Sequence, residues 1–225
     1  MRARGIRLLF LTNDPRGSRP EYADRLARLG IDADESEIVT SASALATYVA
    51  DTEGAGTPVF AIGSPALKAE LAGAGLELVD GGAPVVAVGG HDGFDYAELR
   101  VATQALRRGA RLYAAGRDAT FPMPDGPWPA TGAVLAAVET AGGTRATVVG
   151  KPEAYIFDIA RSLLGSCRRI AIVGDHLEAD IAGGSRAGLA TILVLTGTTT
   201  RADLATATVQ PDLVLPDLAA LAAPR

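Results

Sequence analysis

The clearest apolar run in the chain is Ile170–Val173, which ends at Gly174-Asp175. An unbroken apolar run between polar flanks predicts a strand that is buried on both faces, as in a parallel sheet. Ligands of such sheets gather at the carboxyl ends of the strands, so Asp175 is a candidate ligand residue. A second carboxylate, Asp180, follows where the chain is predicted to turn helical. A carboxylate at this place also fits a simple N-cap of the next helix, and the run alone leaves both interpretations open.

Short apolar runs alternate with helical patterns in the first and last thirds of the chain. The predicted strands there are Ile6–Leu11, the short extended piece Glu37–Thr40, Val148-Val149, Ile170–Val173 and Thr191–Leu195. The predicted helices are Pro20–Leu29, Ser41–Asp51, Glu153–Leu164, one that reaches Ala187-Gly188, and a final Ala/Leu-rich surface helix. This alternation predicts βαβ units and a parallel sheet shared by the two outer thirds.

The middle third has a different composition, with several clusters of glycine and alanine. Its predicted strands are Val59–Ile62, Leu76–Val79, Val85–Val88 and Arg111–Ala114, and its predicted helices are Pro65–Ala72, Tyr96–Arg108 and Thr131–Ala141. The Pro-rich segment Phe121–Pro129 is predicted to be a loop. The middle third therefore reads as an insertion with a small sheet of its own.

Composition narrows the class of protein. The net charge of -5 and the pI near 5.1 leave no basic surplus to neutralise phosphates, which argues against a nucleic-acid partner. The single cysteine, Cys167, excludes an intrachain disulfide and suits a reducing cytosol. No apolar stretch approaches the length of a membrane-spanning helix, about 18 residues or more. We expect a cytoplasmic protein with no membrane partner.

Three predicted strand ends carry polar groups that suit phosphate chemistry. Thr12 and Asn13 offer a hydroxyl and an amide, Lys151 offers a cation, and Asp175 with Asp180 offers anionic oxygens. Hydroxyl, amide and ammonium groups can hold phosphate oxygens, and a carboxylate pair can hold the Mg²⁺ that neutralises the remaining charge. Each piece also has a simpler interpretation, because Thr-Asn is a common turn and Gly150-Lys151-Pro152 fits a loop ahead of a helix.

These motifs resemble those of a known family. Thr12-Asn13, Gly150-Lys151-Pro152, Gly174-Asp175 with Asp180, and Leu195-Thr196-Gly197 match in order the later motifs of the haloacid dehalogenase-like (HAD) hydrolase superfamily. The chain most resembles the subclass IIA phosphatases, related to phosphoglycolate and 4-nitrophenyl phosphatases, over nearly all of its length. In the middle third, Gly109-Ala110, Asp118, Pro122 and Gly132-Ala133 follow the pattern of that subclass's inserted α/β cap.

The resemblance implies a fold and a role for each matched residue. The fold is an α/β, Rossmann-like parallel-sheet core, formed by residues 1–42 and 146–225, with an inserted α/β cap domain at 43–145. Thr12 and Asn13 would bind the phosphoryl group, and Lys151 would pair with its oxygens and with the nucleophile. Asp175 would bind Mg²⁺, Asp180 would support that site, and Asp118 would contact the substrate. The catalytic set implied is Thr12, Lys151 and Asp175.

One motif of the family is missing from this sequence. It is a central strand ending in Asp-x-Asp, which supplies the nucleophile and the general acid/base and precedes the Thr motif. The only literal match, Asp32-Ala33-Asp34, follows Gly30 and is typical of a turn or a cap. Covalent catalysis cannot proceed without the attacking carboxylate, so we expect the chain as written to be inactive. A start at an internal Met of a longer protein and a true pseudoenzyme are both open explanations, and the helix-end character of Met1–Gly5 favours the first.

The expected function of the complete form is Mg²⁺-dependent hydrolysis of small phosphate monoesters through an aspartyl-phosphate. The alternative is a non-catalytic pseudoenzyme that binds a phosphate ester and has a regulatory role. A small phosphorylated metabolite is the expected partner in either case. Cap-to-cap dimers are common among similar proteins, so a homodimer is considered, although the sequence leaves the oligomeric state open.

Overall fold

A computed structural model describes residues 1–222, which fold as two compact units. The first unit contains residues 1–9 and 151–222, and the second contains residues 10–150. Apart from one two-stranded hairpin, the strands in both units pair in parallel. The predicted α/β fold with parallel sheets is therefore confirmed. No helix in the described part of the chain has the length and apolar character needed to cross a membrane.

The second unit holds most of the secondary structure. Its strands are β1 (Phe10–Thr12), β2 (Ile38–Thr40), β3 (Pro58–Gly63), β4 (Glu77–Leu78), β5 (Val85–Gly90), β6 (Arg111–Ala114), β7 (Thr120–Met123), β8 (Gly126–Pro129) and β9 (Thr147–Val148). Its helices are α1 (Arg19–Arg28), α2 (Ser41–Glu53), α3 (Pro65–Gly73), α4 (Tyr96–Arg107) and α5 (Thr131–Gly142), with a short 3₁₀ turn at Glu35–Glu37.

A five-stranded parallel sheet in the order β4-β3-β5-β6-β9 forms the core of this unit. The central strand β5 is buried along its whole length, as expected for a strand covered by helices on both faces. Val86 and Val88 pack in one apolar cluster with Leu106 of α4 and with Leu135 and Val138 of α5. Strands β1 and β2 form a separate parallel pair.

The strand order of the five-stranded sheet reverses between β3 and β5, because β4 lies on the far side of β3. In a parallel α/β sheet such a reversal opens a crevice at the carboxyl ends of the strands, where ligands usually bind. Here the chain itself occupies that place. Pro15 is buried, its carbonyl accepts a hydrogen bond of 2.9 Å from the hydroxyl of Ser64 directly after β3, and its ring lies beside Gly89 near the end of β5.

Side-chain caps explain where several helices begin. Ser18 starts α1 with a full capping box, in which its hydroxyl accepts from the backbone of Glu21 and the Glu21 carboxylate accepts in return. Thr40 does the same for α2 with Ser43. Such caps each contribute about 1 kcal/mol.

The first unit contains a three-stranded parallel sheet in the order β10-β11-β12. Its elements are β10 (Ala171–Gly174), β11 (Ala190–Val194), β12 (Leu213–Leu215), α6 (Ala154–Leu164), one π-helical turn at Leu177–Ala182, α7 (Gly183–Arg186), α8 (Arg201–Thr206) and α9 (Ala219–Ala222). The chain start also belongs here. A 3₁₀ turn at Arg2–Arg4 ends at Gly5 in the left-handed conformation, and Arg7 donates to the carbonyls of Leu163 and Leu164 at the end of α6.

The single parallel sheet predicted for the two outer thirds is not observed among the described residues, because β1–β2 and β10–β11–β12 are separate sheets and the strand predicted at Val148-Val149 is β9 of the five-stranded sheet. Two further predicted strands differ in extent or burial. The predicted strand Ile6–Leu11 begins only at Phe10, because Arg7 ties the preceding residues to the end of α6. The strand predicted at Ile170–Val173 to be buried on both faces is β10, which is exposed at Ala171 and half-buried beyond it. It lies at an edge of its three-stranded sheet, so only one side is paired.

The segment Phe121–Pro129, predicted to be a loop, instead forms the antiparallel hairpin β7–β8. Pro122 and Pro127 face each other in its register, beside the cross-strand pair Phe121 and Trp128. A two-stranded ribbon tolerates proline because outward-facing N–H groups need no partner strand. The elements α8 and β12 were not predicted. The predicted final helix is observed at Ala219–Ala222, and residues 223–225 of the predicted stretch lie outside the described residues.

Glu139 joins three parts of the second unit. Its carboxylate accepts two hydrogen bonds from Arg117, one from Arg145 and one from the backbone N–H of Ala146, all between 2.8 and 2.9 Å. The side chain is only 6% exposed. Hydrogen bonding from Arg117 is the largest influence on this carboxyl, and it lowers the pKa of Glu139 to about 2.

This network predicts an acid-dependent loss of stability. The folded-state pKa of Glu139 lies below its ordinary value of 4.5, so the ionised carboxylate stabilises the fold above that pH and the contribution is lost as the pH falls toward about 2. We expect Glu139→Gln to cost about 2 kcal/mol at pH 7 and to flatten the pH dependence of unfolding between those two values. Urea unfolding at a series of pH values measures both effects. An unchanged slope in the variant would contradict the assignment.

Candidate active site

Asp175 directly follows β10, and its carboxylate contacts the loop that follows β11. The backbone N–H of Thr198 donates to Asp175 Oδ2 at 2.6 Å, and the N–H of Thr199 donates to the Asp175 carbonyl at 3.1 Å. Gly197 makes this approach possible, because a Cβ at that position would lie 2.0 Å from Oδ2. The predicted Leu195-Thr196-Gly197 motif therefore has a physical reason, because the glycine at its end lets the loop approach the carboxylate of Asp175.

The surroundings of Asp175 favour its ionised form. Burial by itself raises the pKa of Asp175, but the hydrogen bonds from Thr198, with smaller contributions from its own backbone and from His176, together lower the pKa below its ordinary value. The interpretation of Asp175 as a helix cap is wrong. The exposed His176 caps the π-helical turn instead, since its Nδ1 accepts from the backbone N–H of Ala179 at 3.1 Å.

Lys151 and Asp180 form a buried ion pair in the same unit. Lys151 Nζ lies 2.6 Å from Asp180 Oδ1, and the two side chains are 11% and 6% exposed. The other carboxylate oxygen of Asp180 accepts from the backbone N–H of His176 at 3.1 Å. Gly174 is required here, because a Cβ at that position would lie 2.2 Å from Asp180 Cγ. Glycine before Asp175 thus lets the second carboxylate approach the end of the strand.

The donor chemistry of Asp175 and Asp180 fits a Mg²⁺ site that is completed by other ligands. Mg²⁺ is usually bound by one or two carboxylates together with waters and substrate phosphates rather than by an all-protein cage. Within residues 1–222 no three His, Cys, Asp or Glu side chains converge as a metal cluster. Asp180 already balances the charge of Lys151. The assignment of both carboxylates to a metal stays a prediction.

In the second unit, Thr12 and Asn13 stand at the end of β1. Thr12 Oγ1 accepts from the backbone N–H of Asp14 at 3.1 Å, a local turn of the kind that the sequence also allowed. Asn13 Nδ2 donates to Asp118 Oδ2 at 2.9 Å, so the structure brings two of the predicted site residues together. The hydroxyl of Ser41 donates to the Asn13 carbonyl at 2.7 Å. Gly150 is also confined here, since a Cβ would lie 2.1 Å from the carbonyl oxygen of Ala115.

Sequence reasoning missed several partners of these residues. Thr198 contacts Asp175, Ser41 contacts Asn13, and Arg16 forms a fork with Asp14. Ser41 follows a predicted strand end, so the rule that singled out Thr12 applied to it as well.

Asp32-Ala33-Asp34, the only literal Asp-x-Asp of the sequence, lies where the chain forms a structural cap. Asp34 caps the 3₁₀ turn at Glu35–Glu37, where its carboxylate accepts from the backbone N–H and the hydroxyl of Ser36. The interpretation of Asp32-Ala33-Asp34 as a turn or cap is therefore confirmed.

Comparison with known proteins gives a consistent result. A family model for haloacid dehalogenase-like hydrolases matches residues 1–77, and a second, described as HAD-hydrolase-like, matches residues 148–221. Human chronophin is 41% identical over 210 residues, which are 86% of this chain and 71% of chronophin. The acid sugar phosphatase of Staphylococcus haemolyticus is 36% identical over 212 residues, covering 93% of this chain and 80% of that protein. The glycerol phosphate phosphatase of Mycobacterium tuberculosis, solved in complex with magnesium, has a TM-score of 0.91 at 34% identity and covers 96% of this chain and 67% of that one.

In each unit polar groups follow parallel strands, an ionised carboxylate and a buried lysine in the first and a hydroxyl–amide pair in the second, which is typical of α/β proteins that bind phosphate. The chain belongs to the haloacid dehalogenase-like hydrolase family. Its relatives are phosphatases of subclass IIA, among them chronophin and acid sugar phosphatase.

The buried pair Lys151–Asp180 predicts strong energetic coupling. Lys151→Met leaves a buried carboxylate without its cation, and we expect it to cost about 3 kcal/mol of unfolding free energy. Asp180→Asn should cost a similar amount, and the double variant should cost clearly less than the sum, with a coupling of about 2 kcal/mol. The exposed pair Arg186–Glu178, in the same unit, is the matched control and should couple by less than about 1 kcal/mol. Equal coupling in the two cycles would contradict the prediction.

Proposed function

We propose that this protein, in a complete form that also carries the Asp-x-Asp strand, is a Mg²⁺-dependent phosphatase of small phosphate monoesters that works through an aspartyl-phosphate. The observation that best supports this is the ion pair of 2.6 Å between Lys151 and Asp180 in the unit that also carries the ionised Asp175. A fixed ammonium and an ionised carboxylate are the two charges that phosphoryl transfer needs, one for the phosphoryl oxygens and one for the metal.

Each site residue has a proposed task. The hydroxyl of Thr12 and the amide of Asn13 hold phosphoryl oxygens, and Lys151 balances their charge. Asp180 fixes the position of Lys151, and Asp175 is the metal ligand. Mg²⁺, when bound, neutralises phosphoryl charge. We also propose that residues 1–42 and 146–225 act as the catalytic core, that 43–145 act as its cap, and that Asp118 contacts the substrate from the cap.

The attacking carboxylate of an aspartyl-phosphate mechanism is not among these residues. The sequence has no apolar strand ending in Asp-x-Asp before Thr12, and Asp34 serves as a cap. We therefore propose that these 225 residues bind phosphate esters without turning them over. A strand that ends in Asp-x-Asp would supply both the nucleophile and the general acid/base.

Phosphate release tests the proposed reaction directly. We expect no release from 4-nitrophenyl phosphate by the 225-residue chain, and Mg²⁺-dependent release by an N-terminally extended form that supplies a strand ending in Asp-x-Asp. Glycerol phosphate and sugar phosphates are the next substrates to test, because two relatives are named as phosphatases of these compounds. The matched control is the extended form with the first Asp of that motif changed to Asn.

The outcomes separate the proposals. Activity of the 225-residue chain itself would contradict its proposed inactivity. An extended form that binds phosphate esters tightly by calorimetry but releases no phosphate would favour a non-catalytic binding protein. An extended form that neither binds nor hydrolyses any of these esters would overturn the phosphatase proposal.

Metal binding can be measured without turnover. We expect Asp175→Asn to weaken Mg²⁺ binding by about tenfold or more, because it removes an anionic ligand oxygen. Asp158→Asn, an exposed aspartate on α6, is the matched control and should leave the affinity unchanged. Calorimetric titration with Mg²⁺ gives the two dissociation constants. Equal affinity of the two variants would count against Asp175 as the metal ligand.

A further inference from the structure

Ser41 has a buried hydroxyl that bonds outside its own helix. It is the first residue of α2, where the capping box of Thr40 fixes the start of the helix, and it has no exposed surface. Its Oγ donates to the carbonyl oxygen of Asn13 at 2.7 Å. Strands β1 and β2 pair with Thr12 opposite Thr40, so Asn13 and Ser41 are the next residues after two neighbouring strand ends. The Ser41 hydroxyl therefore joins those two ends, and all of these residues lie within the second unit.

The carbonyl that Ser41 holds belongs to the peptide group between Asn13 and Asp14. This peptide group is trans and planar, so its carbonyl and its N–H point in opposite directions and turn together. The N–H, which is that of Asp14, donates to Thr12 Oγ1 at 3.1 Å. One rigid group is thus bonded at both ends, to the Ser41 hydroxyl on one side and to the Thr12 hydroxyl on the other.

The bond from Asp14 decides how the Thr12 hydroxyl can be used. A threonine hydroxyl has one proton to donate and two lone pairs that accept. Because one lone pair accepts the Asp14 N–H, the hydroxyl proton points away from that N–H and is available to a further acceptor. In the free protein Tyr22 also lies beside this hydroxyl. In the proposed function the further acceptor is a phosphoryl oxygen.

We propose that Ser41 is a positioning residue for phosphate binding by Thr12. Ser41 anchors the Asn13 carbonyl, the planar peptide group transmits this orientation to the Asp14 N–H, and that N–H holds Thr12 Oγ1 with its proton directed at the ligand. Ser41 is fully buried, so it does not contact the ligand itself. A preorganised donor of this kind needs no reorientation when an anion arrives. The inference rests on the proposed function, which makes Thr12 a phosphate ligand.

Amide hydrogen exchange tests the anchor in the free 225-residue chain. We expect Ser41→Ala to speed exchange of the Asp14 N–H about fivefold or more, because its peptide group loses the hydrogen bond to the carbonyl. Ser41→Cys should behave in the same way, since cysteine fills a similar space but is only a weak donor. NMR measures the exchange rate residue by residue, and thermal unfolding checks that each variant is folded.

Thr47→Ala is the matched control for these variants. The Thr47 hydroxyl also donates to a backbone carbonyl, that of Ser43 in the same helix at 3.0 Å, but from an exposed position. Exchange of the Asp14 N–H that is equal in Ser41→Ala and Thr47→Ala would overturn the positioning role. Exchange in Ser41→Cys that equals the wild type would assign Ser41 to packing and contradict the proposal as well.

Calorimetry with inorganic phosphate in the presence of Mg²⁺ tests the effect on the ligand. We expect Ser41→Ala and Ser41→Cys to weaken phosphate binding by the 225-residue chain about fivefold, and Thr47→Ala to leave it unchanged. Thr12→Val removes the donor itself and should weaken binding about tenfold. The double variant Ser41→Ala/Thr12→Val should bind no more weakly than Thr12→Val, because Ser41 acts only through Thr12.

The outcomes distinguish this inference from the proposed function. Losses that add in the double variant would show that Ser41 does not act through Thr12, and the positioning role would be wrong. A wild type that binds phosphate as tightly as the Ser41 variants do would also overturn that role and leave the proposed function standing. A wild type that binds no phosphate overturns the proposed function, and the positioning role fails with it.

Discussion

The ion pair between Lys151 and Asp180 is the interaction on which the proposed site residues of the first unit depend. Removing two charges from water is expensive, and the cost is recovered only when the pair is close and the remaining polar atoms are bonded. Both conditions hold, because the two charged groups lie 2.6 Å apart and the backbone N–H of His176 satisfies the second carboxylate oxygen. The geometry in turn demands glycine at 174. One electrostatic requirement thus explains why a strand end, a glycine and two distant charged residues occur together.

Hydrogen bonds, most of them with the main chain, hold the other proposed site residues. Asp175 is held by the loop after β11, and Asn13 is held by Ser41 through its carbonyl and by Asp118 through its amide. The contact to Asp175 comes from an uncharged backbone N–H, which favours the ionised form of its carboxylate. The proposed catalytic groups are therefore preorganised by backbone geometry, which costs no rearrangement when a ligand arrives.

Local sequence pattern predicted most of the strands and helices, and together with the family resemblance it selected the candidate site residues. Strand β6 has the predicted bounds, and Lys151, Asp175 and Asp180 were selected because polar groups at strand ends mark ligand sites. Pairing was not predictable, because Lys151 and Asp180 are 29 residues apart and local pattern carries no distance information. The hairpin β7–β8 was missed for a different reason. Its prolines indicate a loop unless the outward direction of the missing N–H groups is known.

The buried Pro15 has a consequence for how proteins of this kind diversify. A parallel sheet usually offers its reversal crevice to a ligand, but here the crevice is sealed by the chain that also bears Thr12 and Asn13. Substitutions inside this crevice would therefore disturb the segment that bears Thr12 and Asn13, the proposed phosphate ligands. Drift in the half-exposed hairpin leaves the five-stranded sheet intact. Substitutions can accordingly accumulate in the hairpin while the five-stranded sheet and the Thr12–Asn13 segment stay constant as an inherited frame.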